Sequence, residues 1–282
     1  MRQKRVLVTG AAGRLGRVVL ARLAGAGVAT VGLDRVEATD TAADRVVTGD
    51  GADPDVVRDA LDGVDAVVHL AAIPAPTLDT PERVFGGNSL ATFAVLDAAG
   101  RAGIRRAVIA SSQSIYGLAF SPEPLDPAYV PIDEAHPLQI ADPYALSKQA
   151  DEATAVMVAR RYGMTVVALR YPMLGGQERL REIAASWRDD PARGARPLWA
   201  YLDDRDAAEA AWLSLSTPLD GYHMFQVAAP DTLAALPTAE LLDAFYPNVP
   251  RRREFTGREV PFDIGPAARI LGHRAAYPCE AP

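Results

Sequence analysis

Cysteine is all but absent: the 282 residues hold one, Cys279. No two cysteines of the chain can therefore close a disulfide, and a reducing compartment, with the cytoplasm as default, is the expectation. Long apolar runs are missing as well. The first run stops at Thr9 and Gly10, too short for a secretory signal or a membrane helix, so no membrane partner is expected. An excess of positive charge is also lacking. With 29 Lys and Arg against 36 Asp and Glu the formal charge is −7, which argues against a nucleic-acid partner. The cluster Arg251-Arg252-Arg253 reads as a solvated turn. No repeats stand out, and Asp203-Asp204-Arg205-Asp206 reads as a helix start with complementary charges rather than a metal site, so no metal is expected. What remains, at 49% hydrophobic residues, is enough for one large α/β domain with a smaller appended region.

The informative stretch is the opening. Arg5-Val-Leu-Val-Thr9 is an apolar run that ends at Gly10, and Gly13 and Gly16 follow before a helical pattern of Leu15, Val18, Val19 and Leu23. The spacing predicts strand, turn and helix. Gly10 suits a turn with positive φ, Gly13 lets backbone approach a diphosphate, and Gly16 lets the helix pack on the strand. The helix start then offers unpaired N–H groups and the positive end of its dipole to phosphate. A dinucleotide site is expected over Gly10, Gly13, Arg14, Leu15 and Gly16.

A second strand over 29–33 ends at Asp34, 18 residues beyond Gly16. A carboxylate there accepts from the adenosine ribose hydroxyls and repels a 2′-phosphate, which favours NAD over NADP. Arg35 could instead pair with that phosphate, and Asp34 could simply cap a loop. A third strand over 45–47 leads to Asp50 and Gly51, where the carboxylate serves either an adenine amino group or the turn itself. Asp53 caps the next helix and Pro54 opens it. The fourth strand, 66–72, brings Leu70, Ala71 and Ala72, whose small members leave room for a cofactor; His69 inside it reads as a satisfied core histidine. Asn88 opens a helix over 89–102, and 106–110 is a fifth strand. Five alternations of strand and helix argue for a parallel sheet covered on both faces, with ligands at the strands' carboxyl ends.

The fifth strand runs into Ser111-Ser112-Gln113-Ser114-Ile115-Tyr116-Gly117, where hydroxyls and an amide collect at that edge; Gln113 and Ser114 are candidate substrate contacts. A loop over 121–137 carrying five prolines should flank the substrate mouth. The next helix starts near Asp142 and runs to about Tyr162. Tyr144 and Lys148, four apart, share a face near its start, so an ammonium can sit beside a phenol and lower its pKa toward working pH. The same pair also fits a solvated lysine and a half-buried tyrosine. A sixth strand covers 165–170, with helical patterns at 178–187, 205–215 and 238–245 and a strand over 222–227.

In this order, Gly10-Ala-Ala-Gly13-Arg-Leu-Gly16, Asp34, His69-Leu-Ala-Ala72, Asn88, Ser112 and Tyr144-Ala-Leu-Ser-Lys148 resemble the extended short-chain dehydrogenase/reductase superfamily, also called the NAD-dependent epimerase/dehydratase family. Residues 262–272 are similar to the family's closing helix. The resemblance implies a Rossmann-like doubly wound parallel sheet with a small C-terminal substrate-binding region, divided as 1–170 and 171–282. It implies that Tyr144 is the general acid/base, that Lys148 lowers its pKa and holds the nicotinamide ribose, that Ser112 orients the reacting oxygen, and that Asn88 supports them, in one version through a proton relay.

The chemistry fits. Moving a hydride between a carbinol carbon and nicotinamide requires the hydroxyl proton to leave, and a phenol of depressed pKa accepts it near neutral pH. Dehydratases of the group carry an acidic pair after the active-site hydroxyl, and here Gln113 and Ser114 stand there instead. The layout is similar to uronate dehydrogenases and small sugar reductases. An NAD-dependent oxidoreductase of a sugar-like small molecule is expected, a nucleotide-sugar epimerase is the alternative, and a non-catalytic sensor is disfavoured by the retained Ser112, Tyr144 and Lys148. The 112 residues after Arg170 favour a small substrate, with Arg179 or Arg181 pairing with its carboxylate or phosphate. A homodimer is left open as its assembly.

Overall fold

The computed structural model describes residues 5–279. Strand β1 (Arg5–Thr9) runs into helix α1 (Arg14–Gly25), and β2 (Ala29–Asp34), β3 (Arg45–Thr48) and α2 (Pro54–Ala60) follow. The chain then crosses to β4 (Ala66–His69), α3 (Pro81–Arg101), β5 (Arg106–Ser112), α4 (Pro143–Tyr162) and β6 (Thr165–Tyr171). After β7 (Met173–Gly175), α5 (Gln177–Asp189), β8 (Tyr201–Asp203) and α6 (Asp204–Ser216), strand β9 (Tyr222–Gln226) returns to the sheet, and α7 (Thr238–Phe245) closes the run. The seven-stranded sheet has the order β3-β2-β1-β4-β5-β6-β9, parallel throughout. Its order reverses at β1, so a crevice opens beyond the carboxyl ends of β1 and β4.

Strand periodicity builds the two faces. Val6 and Val8 point into a core with Val19, Leu20 and Leu23 of α1 and Ala207, Ala208 and Ala211 of α6. Leu7, between them, points the other way, into a core with Val57 of α2, Val95 and Leu96 of α3 and Val158 of α4. Alternation of this kind buries a parallel sheet between two helical layers. A third core fills the smaller lobe, where Leu180, Trp187, Trp199, Tyr201 and Leu242 meet Ile115 and Tyr116 from the sheet's edge. The proline-rich loop joins that lobe: Val130 N–H donates to the Pro250 carbonyl and Ile132 N–H to the Pro261 carbonyl, both at 3.0 Å.

The structure departs from the sequence reading in several places. Helix α3 begins at Pro81 behind a Thr80 cap, not at Asn88; Gly86 and Gly87 lie within it, and two glycines at about 1 kcal/mol each hide a helix from propensity. Strand β4 stops at His69, and Leu70 to Ala72 form the loop beyond it. Strand β5 continues to Ser112. The expected closing helix over 262–272 shrinks to one π-helical turn, Ala267–Leu271, just after Pro266. The two-stranded β7–β8 sheet has no counterpart in the periodicity. Past residue 170, β9 extends the main sheet and α6 covers it beside α1. No helix of the described residues is long and apolar enough to cross a membrane.

Candidate active site

A cleft of about 1210 Å³ lies at the carboxyl edge of the sheet, between the sheet and the smaller lobe. Its floor is the glycine turn. Gly10 takes φ +69°, and a Cβ there would meet the Ala71 backbone nitrogen at 2.9 Å. A Cβ on Gly16 would lie 2.0 Å from the Gly10 carbonyl oxygen, so α1 sits directly on the turn. Gly13 is the N-cap of α1 and makes no side-chain cap, which leaves the first-turn N–H groups of a helix whose Arg14, Leu15 and Gly16 line the cleft. This is a cradle without side chains, and it fits the diphosphate of a dinucleotide.

Asp34 reaches the cleft from β2. Its Oδ2 accepts the Ala12 N–H at 2.9 Å and its Oδ1 the Val36 N–H at 3.3 Å, so it braces the glycine turn while lining the cleft beside the exposed Arg35. Asp50 also lines it, but its Oδ1 accepts the Ala52 N–H at 2.9 Å, the turn role the sequence left open; Gly51 is buried next to it. Leu70, Ala71 and Ala72 form the opposite lip. Arg14 is committed elsewhere: it pairs with Asp204 at 2.9 Å and donates to the Leu174 carbonyl at 2.8 Å, tying the turn to the lobe.

Ser112, Tyr144 and Lys148 line the same cleft. Asp142 caps α4 by accepting the Ala145 N–H at 2.9 Å, and Pro143 opens the helix, which places Tyr144 in the first turn. The Tyr144 ring meets Phe120 edge-on at 6.0 Å. Ser112, at the end of β5, donates to Ser114 Oγ at 3.0 Å and accepts the Ser114 N–H at 3.1 Å. The Lys148 Nζ stands 5.7 Å from the Tyr144 ring centroid and donates to the Ala110 carbonyl and to Asp151 Oδ2, each at 3.0 Å. Asn88 lines the cleft from α3, with its amide spent on structure: it accepts the Ile73 N–H at 2.7 Å and donates to the Ile73 carbonyl and to Ser147 Oγ, each at 3.1 Å. It pins the loop after β4 to α4.

His69 is the core histidine the sequence suggested. One ring nitrogen meets Thr9 Oγ1 at 2.8 Å and the other Thr92 Oγ1 at 3.0 Å. Burial, and secondarily the Lys148 charge, push its pKa down to about 3, so it is neutral at working pH and takes no acid–base part. Asp203 caps α6, accepting the Arg205 N–H at 2.9 Å, as a helix start should.

On the lobe side, Gln113 and Ser114 line the cleft, and Gln113 Nε2 is buried without a hydrogen-bond partner among the described residues. The two candidate arginines of α5 part company. Arg179 lines the cleft, whereas Arg181 does not and instead lies near Cys279 of the tail. Residues two apart on a helix project about 200° apart, so one of them had to miss. Arg196, unmarked in the sequence, lines the cleft with Pro197 and donates to the Ser121 carbonyl at 2.7 Å. It precedes two buried residues of left-handed backbone, Leu198 at φ +52° and Trp199 at φ +54°, a costly turn held by the packing of Trp199 in the lobe's core.

Two further groups escaped the sequence. Asp151 is the counter-ion of Lys148, and Glu152 takes Arg170 in a two-pronged pair at 2.8 and 2.7 Å while also accepting from Ser111 at 2.6 Å. Burial works against the Arg170 charge, but the bonds to Glu152 overcome it and hold the guanidinium above its ordinary range. Arg170 also donates to Tyr116 at 2.8 Å, so β5, β6 and the edge of the lobe share one buried network.

The chain is similar to known proteins. The chain is 34% identical over 170 residues to a uronate dehydrogenase of Pseudomonas putida, covering 59% of each protein. It is 32% identical over 182 residues to a UDP-glucose 4-epimerase of Streptomyces lividans, covering 61% of this chain and 53% of that one. The match thus spans little more than half the length of these relatives. Among solved structures, a short-chain dehydrogenase/reductase superfamily protein from Agrobacterium tumefaciens with bound NAD superimposes with a TM-score of 0.74 at 26% identity, over 98% of this chain and 94% of that one. Residues 6–228, which carry the glycine turn, Ser112, Tyr144 and Lys148, match the NAD dependent epimerase/dehydratase family, and the chain belongs to that family.

Proposed function

We propose that the protein is an NAD-dependent oxidoreductase that moves a hydride to or from a secondary alcohol or ketone carbon of a small sugar or sugar acid. The observation that carries this reading is that Ser112, Tyr144 and Lys148 open onto the same cleft as the glycine cradle. NAD, when bound, supplies the hydride acceptor or donor. The chain supplies the rest. The Tyr144 phenol receives the proton that leaves the substrate hydroxyl, or returns it to a ketone. Ser112 turns its hydroxyl from Ser114 to the reacting oxygen, which it can serve as donor or acceptor. Lys148 places a compact positive charge beside the phenol. Two of the chain's 29 basic residues are lysines, Lys4 and Lys148, and an ammonium suits this position better than a broad guanidinium fork.

The cofactor reading assigns Asp34 to the adenosine ribose, which favours NAD over NADP. Asp34→Asn keeps an oxygen for the Ala12 N–H and removes the charge, so it isolates the electrostatic effect. Titration of both cofactors should show the preference for NAD narrowing in the variant. Tighter NADP than NAD in the unaltered protein would transfer the decision to Arg35.

The substrate reading assigns an anionic group to the lobe side, where Arg179 and Arg196 line the cleft. Charge-assisted hydrogen bonds are worth about 1.5–3 kcal/mol, so Arg179→Ala or Arg196→Ala should raise KM for a sugar acid by about 10-fold or more with NAD affinity unchanged. A KM unchanged in both variants would exclude an anionic group held at this end of the cleft. Similarity to a UDP-glucose 4-epimerase keeps one alternative, an epimerase that oxidises and re-reduces a nucleotide sugar on tightly held NAD. Screening sugars and sugar acids for NADH formation, beside dialysis of the purified protein to see whether NAD stays bound, separates the two.

A further inference from the structure

Lys148 is more deeply held than a role at the cleft requires. Its side chain is 4% exposed and that of Asp151, one turn along α4, is 2% exposed. An ammonium has three N–H donors. One is spent on the Ala110 carbonyl and one on Asp151 Oδ2, each at 3.0 Å, and Lys148 still lines the cleft. A single N–H therefore remains for what the cleft holds. Asp151 serves nothing else, since its Oδ1 is buried without a partner among the described residues. It caps no helix and braces no turn.

Few other charges act on Lys148. On α4 they are Tyr144 and Glu152, besides Asp151, and Glu152 is occupied by Arg170 of β6. From β4, His69 is neutral. Strand β5 offers a carbonyl only, and on α3 Asp97 is committed to Tyr162 and Arg101. Among the described residues, Asp151 is thus the one carboxylate in direct contact with the ammonium. Burial works to strip the Lys148 proton, and Asp151, Tyr144 and Glu152 outweigh it, holding the group above the ordinary lysine range.

We propose that Asp151 is a positioning residue for Lys148: it keeps the buried ammonium charged across the working pH range and turns its one remaining N–H toward the cleft. The inference rests on the reading of Lys148 as part of the hydride-transfer site. A buried lysine without a counter-ion can lose its proton near neutrality. Removing the Asp151 charge should then silence Lys148 at alkaline pH while Tyr144 and Ser112 stay in place.

The test uses Asp151→Asn, nearly the same shape without the charge. With two lysines in the chain, lysine labelled with carbon-13 at Cε gives two NMR resonances, and Lys4→Arg assigns them. The unaltered protein should keep Lys148 charged to at least its ordinary value of about 10.4, and Asp151→Asn should titrate at least about one unit lower. The high-pH limb of kcat should move down by the same amount. Equal titration of Lys148 in both proteins overturns the proposal. If Asp151→Asn does not fold, the unaltered protein decides, because a Lys148 resonance titrating below its ordinary value of about 10.4 overturns the proposal and one charged beyond it upholds it. The resonance needs no turnover. Failure of the hydride-transfer reading would appear instead as a Tyr144→Phe enzyme with normal activity.

Discussion

Replacing Tyr144 with phenylalanine lowers turnover by at least about 10²-fold, since positioned proton transfer is typically worth 10²–10⁴, and leaves folding and NAD affinity close to those of the unaltered protein. The structure explains the separation. Among the described residues the Tyr144 hydroxyl has no hydrogen-bond partner, so its loss strands no buried group. The ring's edge-on contact with Phe120 is retained, and the residue is 8% exposed, so phenylalanine fills the same space. Steady-state kinetics, NAD titration and thermal melting on the same preparation check this. Activity within a few-fold of the original would take Tyr144 out of the mechanism.

Gly16→Ala has the largest expected effect on cofactor binding. A Cβ at this position lies 2.0 Å from the Gly10 carbonyl oxygen and 2.9 Å from its carbon. Both atoms are backbone and cannot rotate aside. Either α1 moves away from the turn or the turn flattens, and each withdraws the first-turn N–H groups from the position proposed for the diphosphate. Overpacking of this kind costs about 1–3 kcal/mol, which corresponds to about 5-fold to about 150-fold in NAD affinity if it falls on the bound geometry. Melting temperature should fall as well. Calorimetric titration showing NAD affinity unchanged in Gly16→Ala would mean that the glycine turn does not carry the cofactor.

The features legible in the sequence are those written locally. Thr9-Gly10 and Gly16 mark a strand, turn and helix within a dozen residues, and Asp142-Pro143 marks the neighbourhood of the start of α4, because caps and turns use neighbours in the chain. The spacing of Tyr144 and Lys148 puts them on one helix face for the same reason, and their roles come from the family resemblance. The features that stay hidden depend on contacts between distant elements. Glu152 and Arg170 belong to a helix and a strand with no shared local signal, and their pairing exists because α4 packs across β5 and β6. Asp151 carries no mark in the sequence because α4 is packed on more than one side. Its polar and apolar residues are mixed around the helix instead of sorted to two faces, and Tyr144, Lys148, Asp151 and Glu152 are all buried with Ala155 and Val158. Arg196 is hidden by its turn: nothing in Arg196-Pro197-Leu198-Trp199 announces two consecutive left-handed residues, which tertiary packing imposes.

Net oxidation of a small sugar is tested most directly by NADH formation from NAD by the purified protein against a panel of free sugars and sugar acids, run beside Tyr144→Phe and beside inhibition by free UDP. At least one small sugar or sugar acid should yield NADH in amounts matching its own oxidation, Tyr144→Phe should form it at least about 10²-fold more slowly, and UDP should neither inhibit nor stabilise the protein. No net NADH from any member of the panel, with UDP inhibiting at micromolar concentration and NAD retained through dialysis, would contradict net sugar oxidation and identify the cleft as that of a nucleotide-sugar epimerase.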